Sequence, residues 1–142
     1  MYSWADSDDD VDWGELSEMY WLAPLGHKPQ DHLQFVFDNS RYKCFVYADG
    51  RVVGAGRAVA DGRDVSYIAD VAVHPDHQGQ GLGQQIIQRL VDLSAGHKKI
   101  ILYANPGTEG FYVRLGFYPM NTAMAIWHDQ ESAVASGLLR RP

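Results

Sequence analysis

The chain has 142 residues, 46% of them apolar, which suits one domain with a single core and excludes a mainly disordered chain. A net charge of -6 argues against general nucleic-acid binding, which needs a cationic surface. No apolar run is long enough to cross a membrane, no basic-then-apolar leader opens the sequence, and one cysteine, Cys44, excludes an internal disulfide framework, so a cytoplasmic protein is expected.

The first segment is acidic, with Asp6, Asp8, Asp9, Asp10, Asp12, Glu15 and Glu18 close together. It reads either as a solvated, partly mobile tail or as a field that guides a cationic ligand. Asp12 is placed to cap a helix running to about Leu22, with Trp13, Leu16, Met19 and Tyr20 on one face, and Ala23-Pro24-Leu25-Gly26 ends it. A short second helix is expected over residues 31–37. Strands are expected over residues 41–47, 51–60 and 65–74, with hairpin chemistry at Ala48-Asp49-Gly50, and together they make an antiparallel meander. Ile86, Ile87, Leu90, Val91 and Leu93 then recur at helical spacing, and Gly96 ends that helix. A strand over residues 99–103 should lie parallel to the one ending at His74, because a helix connects the two. Asn105-Pro106 opens a short helix reaching Leu115, and residues 117–119 and 122–127 read as a closing hairpin or adjacent strands. Residues 131–139 read as a loose terminal helix.

The stretch Val71-Ala72-Val73-His74-Pro75-Asp76-His77-Gln78-Gly79-Gln80-Gly81-Leu82-Gly83-Gln84 joins a β-rich run to an amphipathic helix through a glycine-rich turn. That order leaves backbone N–H groups free at a helix N-terminus, where they hold a phosphate. A P-loop needs a lysine and a hydroxyl residue after its last glycine, but Gln84-Gln85 follow Gly83. A dinucleotide loop needs two residues between its second and third glycines and a preceding βαβ unit; here the glycines alternate and a meander precedes them.

Gln78-Gly79-Gln80-Gly81-Leu82-Gly83 resembles the signature of the GNAT family of N-acetyltransferases: Arg or Gln, two residues, Gly, one residue, then Gly or Ala. The preceding strand, Ile68 to Pro75, is similar to the family's pyrophosphate-loop strand. Downstream, the segment from Asn105 through Phe111-Tyr112 to Leu115-Gly116-Phe117 resembles the family's asparagine–helix–aromatic segment. The resemblance implies a mixed α+β (α/β) acyl-CoA N-acyltransferase fold. Its sheet is central and mostly antiparallel, with one parallel, splayed strand pair and flanking helices, in a single domain over residues 1–142. It also implies acetyl-CoA as cofactor, coenzyme A as product and an amine as acceptor. Backbone amides of Gln78, Gly79, Gln80, Gly81, Leu82, Gly83 and Gln84 would wrap the pyrophosphate, the three glycines permitting close approach and unusual dihedrals. The pantetheine arm would pair along Val71, Ala72 and Val73, with a main-chain N–H polarising the thioester carbonyl.

On the same resemblance, Tyr112 is the general acid for the leaving thiolate, its bland alternative being a core aromatic beside Phe111. Asn105 positions the cofactor or merely caps a helix. Asp70 alternates with Ile68 and Ala72 and is expected in a mostly apolar place, where burial would raise its pKa and suit it as a base. The alternatives are a buried aspartate that accepts backbone hydrogen bonds, with a water chain removing the amine's proton. His74 and His77 read as solvated loop histidines and not metal ligands, and Cys44 as core filler. Trp127, Tyr67 and Trp21 supply either an aromatic wall for the acceptor or core packing. The segment Ala123 to Trp127 is similar to small aralkylamine acetyltransferases, and the strand from Lys98 to Leu102 resembles the hexosamine-phosphate branch, though no arginine cluster for a sugar phosphate accompanies it. The expected acceptor is therefore a small primary amine. A protein lysine or N-terminus is the second reading and an idle acyl-CoA sensor the third. A homodimer is expected from an exposed edge strand or the Trp127 segment.

Overall fold

The turn Ala48-Asp49-Gly50 sets the sheet in place. Asp49 (φ 51°) and Gly50 (φ 77°) both take the left-handed region, the pair of dihedrals a tight hairpin needs to match strand twist. The computed structural model describes all 142 residues and divides into two compact units, Met1–Leu102 and Tyr103–Pro142. The first contains, in order, β1 (Tyr2–Ala5), α1 (Trp13–Leu22), α2 (Gln30–Asp38), β2 (Tyr42–Ala48), β3 (Arg51–Ala60), β4 (Val65–Val73), a 3-10 turn (Pro75–His77), α3 (Leu82–Leu93) and β5 (Lys99–Ile101). Its five strands lie in chain order across the sheet. All neighbours are antiparallel except β4 and β5, which pair in parallel from Val65↔Lys99 to Tyr67↔Ile101. This is the expected meander with its parallel pair.

Asp12 caps α1, its Oδ1 accepting from Glu15 N at 3.0 Å. One face of the sheet receives α1 and α2 through Leu16, Met19, Tyr20, Leu33 and Phe37, packed on Phe45, Val52, Ala55 and Ala72. The amphipathic helix α3 buries Leu82, Ile86, Ile87 and Leu90. Gly54 and Gly56 of β3 allow that approach: a β-carbon at Gly56 would stand 2.9 Å from Ile86 Cγ2 and 3.0 Å from Leu90 Cδ1. Ser94 closes α3, donating to Leu90 O and sharing a buried 2.8 Å hydrogen bond with Ser66 of β4.

Several expectations are corrected. Residues 2–5, ahead of the acidic segment and given no element by the sequence, form β1, paired from Tyr2↔Ala48 to Ala5↔Phe45. Four residues followed by a run of acids carry no strand pattern, so pairing with β2 and the stacking of Arg89 on Trp4 (4.1 Å) decide the structure. The second unit contains only two short helices, α4 (Glu109–Arg114) and α5 (Gln130–Ala135). Residues 117–127 form no strand. Alternating side chains make a strand only where a partner takes the backbone groups, and here Pro119 has no N–H to give while Met124 and Ile126 stand exposed. α4 starts four residues later than Asn105, and α5 ends at Ala135, before the expected Leu139.

Candidate functional site

Strand β4 leads into the site. Its last amide contact is His74 N donating to Val53 O at 2.8 Å. His74 Nδ1 then accepts from Asp76 N at 3.1 Å, which starts the 3-10 turn. Gln78 is extended, and Gly79 (φ 79°) and Gly81 (φ 80°) take left-handed dihedrals that strain any residue with a β-carbon. Gly81 is the N-cap of α3. Gly83 lies inside the first turn of α3 with no positive φ, so the dihedral freedom expected of all three glycines is required at two.

The backbone from Gly79 to Gln84 offers six consecutive N–H groups with no acceptor in the chain; Gln85 N is the first to find one, Gly81 O at 3.1 Å. The neighbouring side chains are meanwhile committed to the frame. Gln78 Nε2 donates to Val73 O (2.9 Å) and Ala23 O (3.2 Å), and Gln80 Oε1 accepts from the Tyr2 hydroxyl at 2.6 Å. The first turn of α3 has no acid. A run of free amides at the positive end of a helix dipole suits a diphosphate.

The edge of β4 is open beside this loop, because β5 pairs with it only as far as Tyr67. His74 N points at β3, so by strand alternation the amide of Val73 points to the open side, while the irregularity at Asp70 interrupts the alternation before Val71. Ala72 pairs with Ala55 and its methyl is buried in the core, so the three residues named for the pantetheine arm do not present alike.

Between these features β4 bulges: Ala55 opposes Ala72 and Arg57 opposes Ala69, leaving Asp70 and Val71 across from Gly56. Asp70 takes φ 55°. Its surroundings are not apolar as expected. Oδ2 accepts from Arg57 Nε at 2.8 Å and Oδ1 faces Lys28 Nζ at 3.4 Å. The bulge breaks the two-residue alternation on which that expectation rested and turns the carboxylate to the α1–α2 face. Arg57 Nη1 also donates to Ser40 Oγ (3.2 Å), and the hydroxyl of fully buried Tyr20 donates to Asp70 O at 2.5 Å. Burial holds the Tyr20 phenol well above the ordinary tyrosine value, and the charge of Asp70 adds to this.

In the second unit, Asn105 is not the cap of α4. Its carbonyl accepts from Thr108 N (3.0 Å) and Thr108 Oγ1 (2.7 Å) in a turn, and Thr108 occupies the cap position. Tyr112 lies on α4, edge-on to Phe111 (5.1 Å) and Phe117 (6.0 Å). Its hydroxyl has no partner in the chain, and burial raises its phenol above the usual value, so it keeps its proton at neutral pH.

The sequence profile of the Acetyltransferase (GNAT) family matches residues 5–117. The chain belongs to the GNAT acetyltransferase family. The matched region takes in residues of both units. Among curated relatives, serotonin N-acetyltransferase 2, chloroplastic, of Oryza sativa subsp. japonica is 34% identical over 113 residues, 75% of this chain and 56% of that protein. Glucosamine 6-phosphate N-acetyltransferase 1 of the same plant is 32% identical over 115 residues, 75% of this chain and 63% of that one. The chain thus spans about 56 to 63% of the length of these relatives. A GNAT family acetyltransferase structure from Streptococcus pneumoniae superposes with a TM-score of 0.77 at 20% identity, over 92% of this chain and 99% of that one, which shows the shared fold.

Several residues around the loop and the bulge lie outside the GNAT motifs. Sequence reasoning does not find Arg57, Lys28, Tyr20 and Ser40 around the bulge, since nothing local links residues on α1, β3 and the connections either side of α2. His77 is not simply solvated but bonds the Tyr2 hydroxyl. Cys44 is buried as expected, and burial pushes its thiol up to about 12. Trp21 is 61% exposed on α1, so it is not core packing. Trp127 packs edge-on to Tyr103 at 5.2 Å.

Proposed function

We propose that this GNAT chain is an acetyl-CoA-dependent N-acetyltransferase acting on a primary amine of a small molecule. The observation that carries the reading is the run of six free amides from Gly79 to Gln84, set at the end of a strand whose edge is open. Acetyl-CoA supplies a thioester whose carbonyl carbon accepts the amine. The loop amides hold its diphosphate, and those of Val73 and Val71 pair with the pantetheine arm, the latter polarising the carbonyl. Asn105 completes the cofactor contacts.

The nitrogen–carbon bond forms as the carbon–sulfur bond breaks. Tyr112 gives its proton to the departing thiolate and recovers one from solvent. Asp70, with an oxygen turned to each of Arg57 and Lys28, fixes the bulge that aims Val71, and water takes the amine's proton. The relatives named for serotonin and glucosamine 6-phosphate acetylation support a small amine as acceptor. The 320 Å³ cavity beside His74 and His77 carries four carboxylates, Glu15, Glu18, Asp49 and Asp76, against one permanent cation, Arg51, and this net negative lining supports a cationic one. A cytoplasmic homodimer completes the proposal; no helix is long and apolar enough to cross a membrane.

Free-thiol release from acetyl-CoA across a panel of small amines and peptides tests the reading. Turnover with small amines is expected. Turnover with peptides alone would move the acceptor to a protein, and tight coenzyme A binding with no turnover would leave a sensor.

A further inference from the structure

We propose that Tyr2 is a positioning residue for the diphosphate loop, acting from β1 through the side chains of His77 and Gln80. The inference rests on the reading of that loop as the coenzyme A site. The Tyr2 hydroxyl stands 2.6 Å from Gln80 Oε1 and 2.9 Å from His77 Nδ1, residues that are 78 and 75 positions away in sequence. A phenol has one proton to donate. The amide oxygen of Gln80 can only accept, so the Tyr2 proton goes there. His77 must then donate its Nδ1–H to the Tyr2 oxygen. The result is a directed chain, from His77 Nδ1–H to Tyr2 O–H to Gln80 Oε1, in which each contact fixes the next. The Tyr2 ring also meets the His77 ring edge-on at 5.6 Å.

The two ends of this chain lie where the loop most needs restraint. His77 closes the 3-10 turn, and Gln80 sits between the two left-handed glycines, Gly79 and Gly81. Glycines permit the conformation but do not enforce it, and each leaves backbone entropy to be lost when a ligand is gripped. Tyr2 is itself held by its ladder place opposite Ala48. Gln80 is thereby tied to the sheet, as Gln78 is tied to β4 and α1. Both glutamines of the motif serve as struts at the start of the free-amide run, and hold that part of the loop in place before the ligand arrives.

The test is Tyr2→Phe, which keeps the ring and removes the hydroxyl. The KM for acetyl-CoA and the Kd for coenzyme A should rise about 3- to 10-fold, the range that one or two net hydrogen bonds allow. kcat and the KM for the amine should stay close to wild type, a split that general loosening of the fold would not give. Gln80→Ala should weaken coenzyme A binding similarly, and the double variant should be little worse than either single one, because both cut the same chain. Gln80→Ala also keeps the test open should Tyr2→Phe fail to fold. Wild-type affinity in Tyr2→Phe, or additive losses in the double variant, would overturn the inference while leaving the loop's ligand intact. Absence of coenzyme A binding in the wild-type protein would instead remove the reading beneath it.

Discussion

The two ends of one short stretch of backbone solve opposite problems. At the loop after β4, side chains are tied down and the main chain is left free: Gln78 and Gln80 brace the frame while six amides point at nothing in the chain. At the bulge four residues after Ser66, the side chain and the carbonyl of Asp70 are both engaged, by Arg57, Lys28 and Tyr20. On the proposed function the loop binds and the bulge holds a shape. Changes in the first should move cofactor affinity with little cost in stability, and changes in the second should do the reverse.

The largest expected effect lies outside both regions. Tyr112→Phe should lower kcat by about 100-fold, the low end for a lost general acid, with coenzyme A affinity preserved; an unchanged turnover rate across pH would remove the role. Next, replacing Gly79 and Gly81 together by alanine should weaken coenzyme A binding by about 30-fold, since each alanine must hold a strained left-handed dihedral. The melting temperature should move little, because an exposed loop can relax. A large fall in melting temperature with intact affinity would invert the comparison. Arg57→Leu should remove about 2 kcal/mol of stability, as expected for a hydrogen-bonded charge pair only 16 to 18% exposed, while Kd for coenzyme A changes by less than about 3-fold.

Two smaller effects sharpen the account of the bulge. Asp70→Asn tolerates the left-handed backbone and removes the carboxylate. The acidic limb of kcat/KM against pH should survive it, whereas its disappearance would make Asp70 the base after all. Tyr20 gives the weakest signal. Its folded phenol titrates above the unfolded one, so it stays protonated in the fold where the unfolded chain has already lost its proton. Its contribution is complete below the ordinary tyrosine value of about 10 and is lost as pH rises through the higher folded value. Melting temperatures followed into that alkaline range should fall less steeply in Tyr20→Phe than in wild type.

Legibility in the sequence followed the same division. Whatever depends on neighbours along the chain could be read: the Asp12 cap, the Asp49-Gly50 hairpin, the α3 periodicity and the glycine pattern of the loop. Whatever depends on distant partners could not. β1 exists because β2 offers an edge, and Asp70 is charged-paired because a bulge turns it toward residues 13 and 42 positions away. Nothing local marks Gly54 and Gly56 within their strand; the close approach of α3 through Ile86 and Leu90 explains them. The alternating residues 117–127 misled for the converse reason, since pattern alone provides no partner.

The most direct test is an amide-detected NMR titration of the labelled protein with coenzyme A. The account predicts that the N–H resonances from Gly79 to Gln84 shift most, with Val71 and Val73 next, and that the shifts saturate together. Saturable binding that leaves those six amides unmoved, or no binding at all, would contradict it.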